Sequence, residues 1–475
     1  MNNVEKLQSL VSDFASEKFM DCYLWKYLEF EFTTGVLYKD ENLEKNIPIN
    51  SIEIRDWPEA NKEQVIQIKD SINNLEHKEI LFGLIPIRRP YKGKLEHTGL
   101  DAYIDVMDKE QYYVVEPNYG GHPDELVYTQ NRIRYEPTGV VGCYGKQNVD
   151  EKKLMEYLFI DYIVPLERMF ETKIPKIIIL KSFFKALNVL RERKAHVQFF
   201  EDVLDKVSPK VVCFAHGPDQ MMCYLNEAAH NKNIPTIEIE HGAIIRNIVY
   251  PKTLQYSDYY FTHSELLTKP MREKGFDNVF TVGKPHKYEN VNWKVNVEGP
   301  IVISVISSRE KELFGEMIRL ARKIDRNKYL FVYKMHPTEK WSDDEMRKIT
   351  DENPNIQFLD GFTDIRDLLE LSDIVIGERS SGILDALPYE KIKIIAINNK
   401  YDGIVGDFSF FDELEKLGDI VLVSSESDLF DEVINYSRGE DYRGKINNYW
   451  PYDAENIYKD TVEQIIKADD DIERK

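Results

Sequence analysis

From about residue 300 the chain alternates short, continuous apolar runs with amphipathic segments of helical period, and this alternation narrows the available folds more than any other feature. IVISVI (301–306) is followed by helix-like KELFGEMIRLARKI (311–324), YLFVYKMHP (329–337), a second polar helix and IQFLD (356–360). Helix-like DIRDLLELSD (364–373), IVIGE (374–378), helix-like SGILDALPYE (381–390), KIIAIN (393–398) and DIVLVSS (419–425) complete the series. Unbroken apolar runs are strands buried on both faces, and amphipathic helices between them cross over the sheet, so the pattern predicts a parallel, doubly wound Rossmann-type domain.

The same grammar runs earlier, through KVVCFAHG (210–217), a helix through NEAAHNKN, TIEIEHG (236–242), DYYFTHS (258–264) and NVFTVGKP (278–285). It predicts a second α/β domain whose sheet begins at EILFGLIPI (79–87) and YYVVEP (112–117), with a long helical span over 181–206. YENVNWKVNVEGP (288–300) has weak periodicity and reads as the linker. The expected organisation is a mainly helical preface over 1–75, an N-terminal Rossmann-like domain over 76–290 and a C-terminal one over 291–475.

Composition closes off other classes. A chain of 475 residues exceeds the size at which one core keeps growing, and 42% hydrophobic with 31% charged residues is a globular profile. A formal charge of −21 argues against broad binding of nucleic acid, which calls for a basic stripe. No basic-then-apolar leader and no membrane-length apolar run appears, so a cytoplasmic protein is expected, with association at a membrane surface left open. Four cysteines, Cys22, Cys143, Cys213 and Cys223, form no CxxC pair and read as buried hydrophobes, and the tail ADDDIERK reads as frayed.

Ligands of open parallel sheets bind outside the carboxyl ends of the strands, which sorts the polar residues by position. In the C-terminal domain Ser307, Ser308 and Arg309 follow the first strand, Lys334 and His336 end the second, and Glu378 to Gly382 follow a later one. GERSSG (377–382) opens a helix whose N–H groups favour an anion; Ser380 and Ser381 either add donors or merely cap the helix. Lys334 and His336 lie two apart, hence on one side of a strand that Pro337 ends, and suit a diphosphate better than a structural role. Glu378 suits ribose hydroxyls or pairs with Arg379, and Asp385 either supports the serine loop or faces solvent.

In the N-terminal domain His241 and Gly242 end a strand. His241 is either a general base for an acceptor hydroxyl or a histidine hydrogen-bonded within the crevice. His216 and Gly217 repeat that arrangement one unit earlier, His263 ends the next strand, and Arg88, Arg89 and Lys92 either gather an acceptor or solvate a loop. No close pair at ligand spacing supports a metal.

IPTIEIEHG, VGKP, KMHP and ERSSGILDAL, in that order, resemble bacterial surface-polysaccharide transferases of the GT-B fold. That group includes capsule biosynthesis enzymes, polysialyltransferases, Kdo transferases of the capsule-export type and teichoic-acid CDP-glycerol glycerophosphotransferases. The resemblance spans roughly 205–400, with a fainter echo in DCYLWKYLEFEF (21–32) and LIPIRRP (84–90). It implies two Rossmann-type domains facing each other across a cleft. It also implies that His336, Pro337, Ser380 and Ser381 hold the donor nucleotide's phosphates, and that His241 and Gly242 lie near a glycan or lipid-linked glycan acceptor. Transfer without a metal would follow. The acidic polysialyltransferase motif and the CDP-glycerol signature are missing, which leaves CMP, UDP, CDP and GDP donors open. Non-hydrolysing UDP-sugar 2-epimerases share the architecture, and an inactive glycan-binding relative is a third reading.

Overall fold

The computed structural model describes residues 14, 17–29, 32, 62–85, 88–91, 94–97, 100–118, 131–215, 219–240, 257–273, 275–284, 299–307, 311–336, 339–361, 363–378, 381–387, 389–397, 409–440, 442 and 453–473. Helix α1 (Lys62–Asn73) leads to β1 (Ile80–Gly83), a hairpin of β2 (Arg88–Tyr91) and β3 (Lys94–His97), β4 (Tyr112–Pro117) and β5 (Arg132–Tyr135). Short helical turns between 137 and 170 precede α2 (Lys176–Val207), β6 (Val211–Ala215), α3 (Gln220–Asn231), β7 (Thr236–Ile239), β8 (Tyr259–Thr262), α4 (Glu265–Glu273) and β9 (Val279–Thr281).

The second half begins with β10 (Ile301–Ile306), α5 (Lys311–Lys323), β11 (Tyr329–Lys334), α6 (Asp343–Glu352), β12 (Ile356–Leu359), α7 (Ile365–Leu369) and β13 (Ile374–Glu378). It ends with α8 (Ser381–Leu384), β14 (Lys393–Ile397), α9 (Ser409–Leu417), β15 (Val421–Val423), α10 (Glu426–Ile434) and α11 (Ala454–Glu473).

Both sheets are parallel and doubly wound. The first runs β5-β4-β1-β6-β7-β8-β9 and the second β12-β11-β10-β13-β14-β15. Each starts at an interior strand, winds to one side and then reverses, as a Rossmann fold does, so the expected GT-B-like pair of α/β domains is what the chain forms. The reversals fall between β1 and β6 and between β10 and β13. A crevice opens at each, because the helices on either side lie on opposite faces. Alternation along each strand builds the cores: Ile80 and Phe82 face one layer of the first domain while Leu81 faces the other, and Ile303 and Val305 face α5 while Ile306 faces α7 and α8.

The expected boundaries shift in two places. Phe14, Trp25, Leu28 and Ile72 of the preface share one core with α2 and α3, so this segment packs as part of the first domain. At the other end α11 continues to Glu473 through most of the tail expected to be frayed. Its Tyr458, Val462, Ile465 and Ile466 join the first domain's opposite core layer, Tyr458 lying 4.9 Å from Tyr103 and 5.8 Å from Phe261 between ring centroids. An apolar stripe at helical spacing needs a partner, and here the first sheet supplies it, so the last helix leaves the expected 291–475 unit. Residues 288–298 of the expected linker lie outside the described residues, but its end is anchored. The Arg438 guanidinium donates to the Gly299 and Pro300 carbonyls at 2.9 and 2.6 Å and grips Asp373, which leads into β13.

Candidate active site at the carboxyl edges

The reversal of the second sheet sets the site. Ser307, 6% exposed, follows β10, and Glu378, 8% exposed, ends β13, so they flank the crevice. The neighbouring β11 brings Lys334 and His336 to the same edge. Gly377 shapes the β13 side. A Cβ placed there would stand 2.2 Å from Ile383 Cγ2 and 3.4 Å from the Ile306 carbonyl oxygen. Only glycine lets Ile383 of α8 approach the end of β13 so closely.

Three expectations change. Lys334 does not reach toward the crevice: its ammonium donates to the Gly361 carbonyl at 2.9 Å and the Asp360 carbonyl at 3.3 Å, on the β12 side. At 7% exposure a buried cation takes whatever acceptors lie near it, and the carbonyls beyond β12 are nearer than β13. Lys334 and Ser381, both expected at the donor's phosphates, do not follow neighbouring strands: β10 stands between β11 and β13, about 10 Å of sheet. The helix expected over 381–390 is one turn, α8, continued by tight turns in which Ala386 and Leu387 N–H groups donate to the Ile383 and Leu384 carbonyls. So short a helix carries little dipole, and its N-terminus is not by itself an anion site.

A residue not singled out in the sequence organises the β11 side. Glu339 accepts from the His336 N–H at 3.0 Å, the Tyr333 hydroxyl at 2.9 Å and the Trp341 indole N–H at 2.9 Å, and the Ser307 hydroxyl also bonds to it. Its own N–H closes a turn on the His336 carbonyl at 2.9 Å. Burial pushes this carboxyl up, but the bonds from Ser307, the His336 amide, Trp341 and Tyr333 more than offset it and hold it below its ordinary value. Burial drives the Tyr333 hydroxyl well up, helped by the charges of Glu339 and Glu378, so it stays a donor. Glu378, Tyr333, Ser307 and Glu339 therefore sense one another across the ends of β11, β10 and β13.

The two domains meet at these edges. Asp385, just past α8, accepts from the Lys284 ammonium at 2.7 Å, both side chains mostly buried. Lys284 belongs to the VGKP run after β9, and Asp385 to the ERSSGILDAL run. Beside them Leu267 of α4 packs into the second domain's core with Ile383 and Leu384. At the first domain's edge Glu240 accepts from the His263 N–H at 2.9 Å, and the His263 ring lies flat over Tyr103, 6.4 Å between centroids, whose hydroxyl donates to the Gly283 carbonyl at 2.8 Å.

Among the expected site residues, Ser308, Arg309, Pro337, Ser380, His216, Gly217, His241, Gly242 and Lys92 lie outside the described residues. Ser381 is described as main chain at the start of α8, with Gly382 behind it. Arg88 and Arg89 are described as main chain only, in β2, paired with His97 and Glu96 of β3. Among the described residues no three His, Cys, Asp or Glu side chains gather as a metal site, and no helix is long and apolar enough to cross a membrane. A cavity of about 480 Å³ in the second domain is floored by Val302, Leu330 and Val332 and rimmed by Asp373 and Arg438; it includes neither Ser307 nor Glu378.

What gathers at the β10–β13 crevice is a set of hydrogen-bonding groups with one buried carboxylate, opposite an ion pair that joins the domains. No family model matches the chain, and no curated protein matches it. Among solved structures, the UDP-GlcNAc 2-epimerase of Neisseria meningitidis bound to UDP-GlcNAc is similar at 14% identity and TM-score 0.46, over 82% of this chain and 99% of that one. The wall teichoic acid polymerase TagF is similar at 12% and 0.47, over 86% and 94%. MurG of Acinetobacter baumannii is similar at 10% and 0.46, over 76% and 91%. These likenesses concern the path of the chain and say nothing of chemistry.

Proposed function

We propose that the protein is a metal-independent transferase that binds a nucleotide-activated sugar, or a sugar-like group, at the carboxyl edge of the second sheet. It passes that group to a glycan or lipid-linked glycan acceptor held at the edge of the first, as in the synthesis of a bacterial surface polysaccharide. The observation that carries this reading is the reversal between β10 and β13, flanked by Ser307 and Glu378, with His336 beside it. The motif resemblance points to His336 as well, and to Ser380 and Ser381, which follow Glu378 in the sequence.

In this reading Glu378 accepts from the ribose hydroxyls. The His336 ring, Ser308, Arg309, Pro337, Ser380, Ser381 and Gly382 surround the phosphates, and Lys334 supports the edge by tying down the Asp360 and Gly361 carbonyls. The departing nucleotide gains negative charge in the transition state, and donors fixed before reaction stabilise that charge at little reorganisation cost. Lys284, held by Asp385, brings a first-domain cation to the same junction. His241 takes the acceptor's proton, with Arg88, Arg89, His216 and Gly242 around the acceptor.

The test offers CMP-, UDP-, CDP- and GDP-linked sugars with and without an extract of surface glycan. Nucleotide release that depends on the extract supports transfer. Interconversion of a UDP-sugar without acceptor would make the protein an epimerase, and no turnover with any donor would leave a glycan-binding relative.

A further inference from the structure

We propose that Glu339 is the positioning residue of the donor site: it fixes the main chain of His336, and through it the ring that meets the donor's phosphate. The inference rests on the donor-site reading above. Glu339 itself is a poor phosphate ligand, since a carboxylate repels an anion. Its two oxygens are committed instead, Oε2 to the His336 amide and Oε1 to Tyr333 and Trp341, with Ser307 adding a further bond. These donors come from the end of β10, the end of β11 and the loop beyond it, so one side chain ties together the segments that border the crevice. The return bond from the Glu339 N–H to the His336 carbonyl closes the turn in both directions. The amide bond and the return bond fix the main chain that carries the ring, and in the donor-site reading it is the ring that meets the phosphate.

This geometry makes a specific demand. Replacing Glu339 by Gln preserves size, but the amide nitrogen cannot accept. The orientation that keeps Tyr333 and Trp341 satisfied sets the new NH₂ against the His336 N–H, so E339Q releases that residue while sparing the core beneath it.

The experiment is a double-mutant cycle read by calorimetric titration of the full chain with CMP, CDP, UDP and GDP. For the nucleotide that binds the native protein, E339Q is expected to weaken binding about fivefold to tenfold, less than the loss of the ring itself, because the ring remains and only its main chain is released. In a His336→Ala background the same change is expected to have no effect, because the group it positions is gone. A role in general stability would instead weaken binding equally in both backgrounds and overturn the proposal, as would native affinity in E339Q. If E339Q does not fold, Tyr333→Phe keeps the ring and removes one donor; a weakening of about twofold to threefold that vanishes with His336→Ala supports the proposal, and one that persists overturns it. A native protein that binds none of the four nucleotides would sink the donor-site reading itself.

Discussion

Gly377→Ala tests whether the seating of α8 on the end of β13 depends on close packing. The added methyl would stand 2.2 Å from Ile383 Cγ2, against an ordinary carbon–carbon contact of about 3.5 to 4.0 Å, so more than 1 Å of movement is needed. Ile383 is fully buried among Leu384, Leu387 and Leu369 and has no space to swing into, while the Ile306 carbonyl blocks the other side at 3.4 Å. Overpacking of this kind costs about 1 to 3 kcal/mol. With a urea slope near 2 kcal/mol/M, the midpoint of the second domain's transition falls by roughly 0.5 to 1.5 M. Ile383→Ala alone loses about 2 to 5 kcal/mol, but it removes the clashing atom, so Gly377→Ala added to it should cost little. Unfolding curves of the four proteins give the coupling, expected at about 1 to 2 kcal/mol. Equal losses from Gly377→Ala in both backgrounds would refute the argument.

Lys284→Ala and Asp385→Ala should each destabilise the junction by about 1 kcal/mol, and the double variant by little more than either; additive losses in a urea cycle would show that the pair is not coupled. Burial raises the thiols of Cys22, Cys213 and Cys223 to about 11, about 12 and about 12, so they should resist a thiol reagent at neutral pH until the protein unfolds, with the less buried Cys143 reacting first. Because these folded values exceed the unfolded one of 9.0, their effect on stability is absent below pH 9 and becomes a progressive loss as pH rises toward 11 to 12. Fast labelling of all four in native protein, or alkaline stability that stays flat, would contradict this.

The second domain was legible because its strands are apolar throughout. IVISVI and IVIGE coincide with β10 and β13 to the residue, as short runs rich in β-branched residues and bounded by polar segments mark strands buried on both faces. Edge elements were harder to see. β5 is a short alternating strand, RIRY, at the margin of the first sheet, and the β2–β3 hairpin carries charged residues, so neither announces itself as an apolar run. The site was legible by position and not by direction. That Lys334 and His336 end a strand follows from the pattern, but that the ammonium turns toward β12 depends on strand order, which no local signal contains. Glu339 is illegible for the same reason: its donors are a tyrosine, an indole, a serine and an amide from two strand ends and the loop beyond β11, brought together only by the sheet. Lys284 and Asp385 sat in motifs already recognised, yet 101 positions apart.

The central claim is that a nucleotide's phosphate lies beside His336 at the β10–β13 crevice. Its most direct test is titration of native protein and His336→Ala with CMP, CDP, UDP and GDP, followed by thermal melts of both proteins without ligand. At least one nucleotide is expected to bind the native protein, and His336→Ala to weaken it by roughly tenfold to a hundredfold while melting at the native temperature. Affinity unchanged in His336→Ala would contradict it.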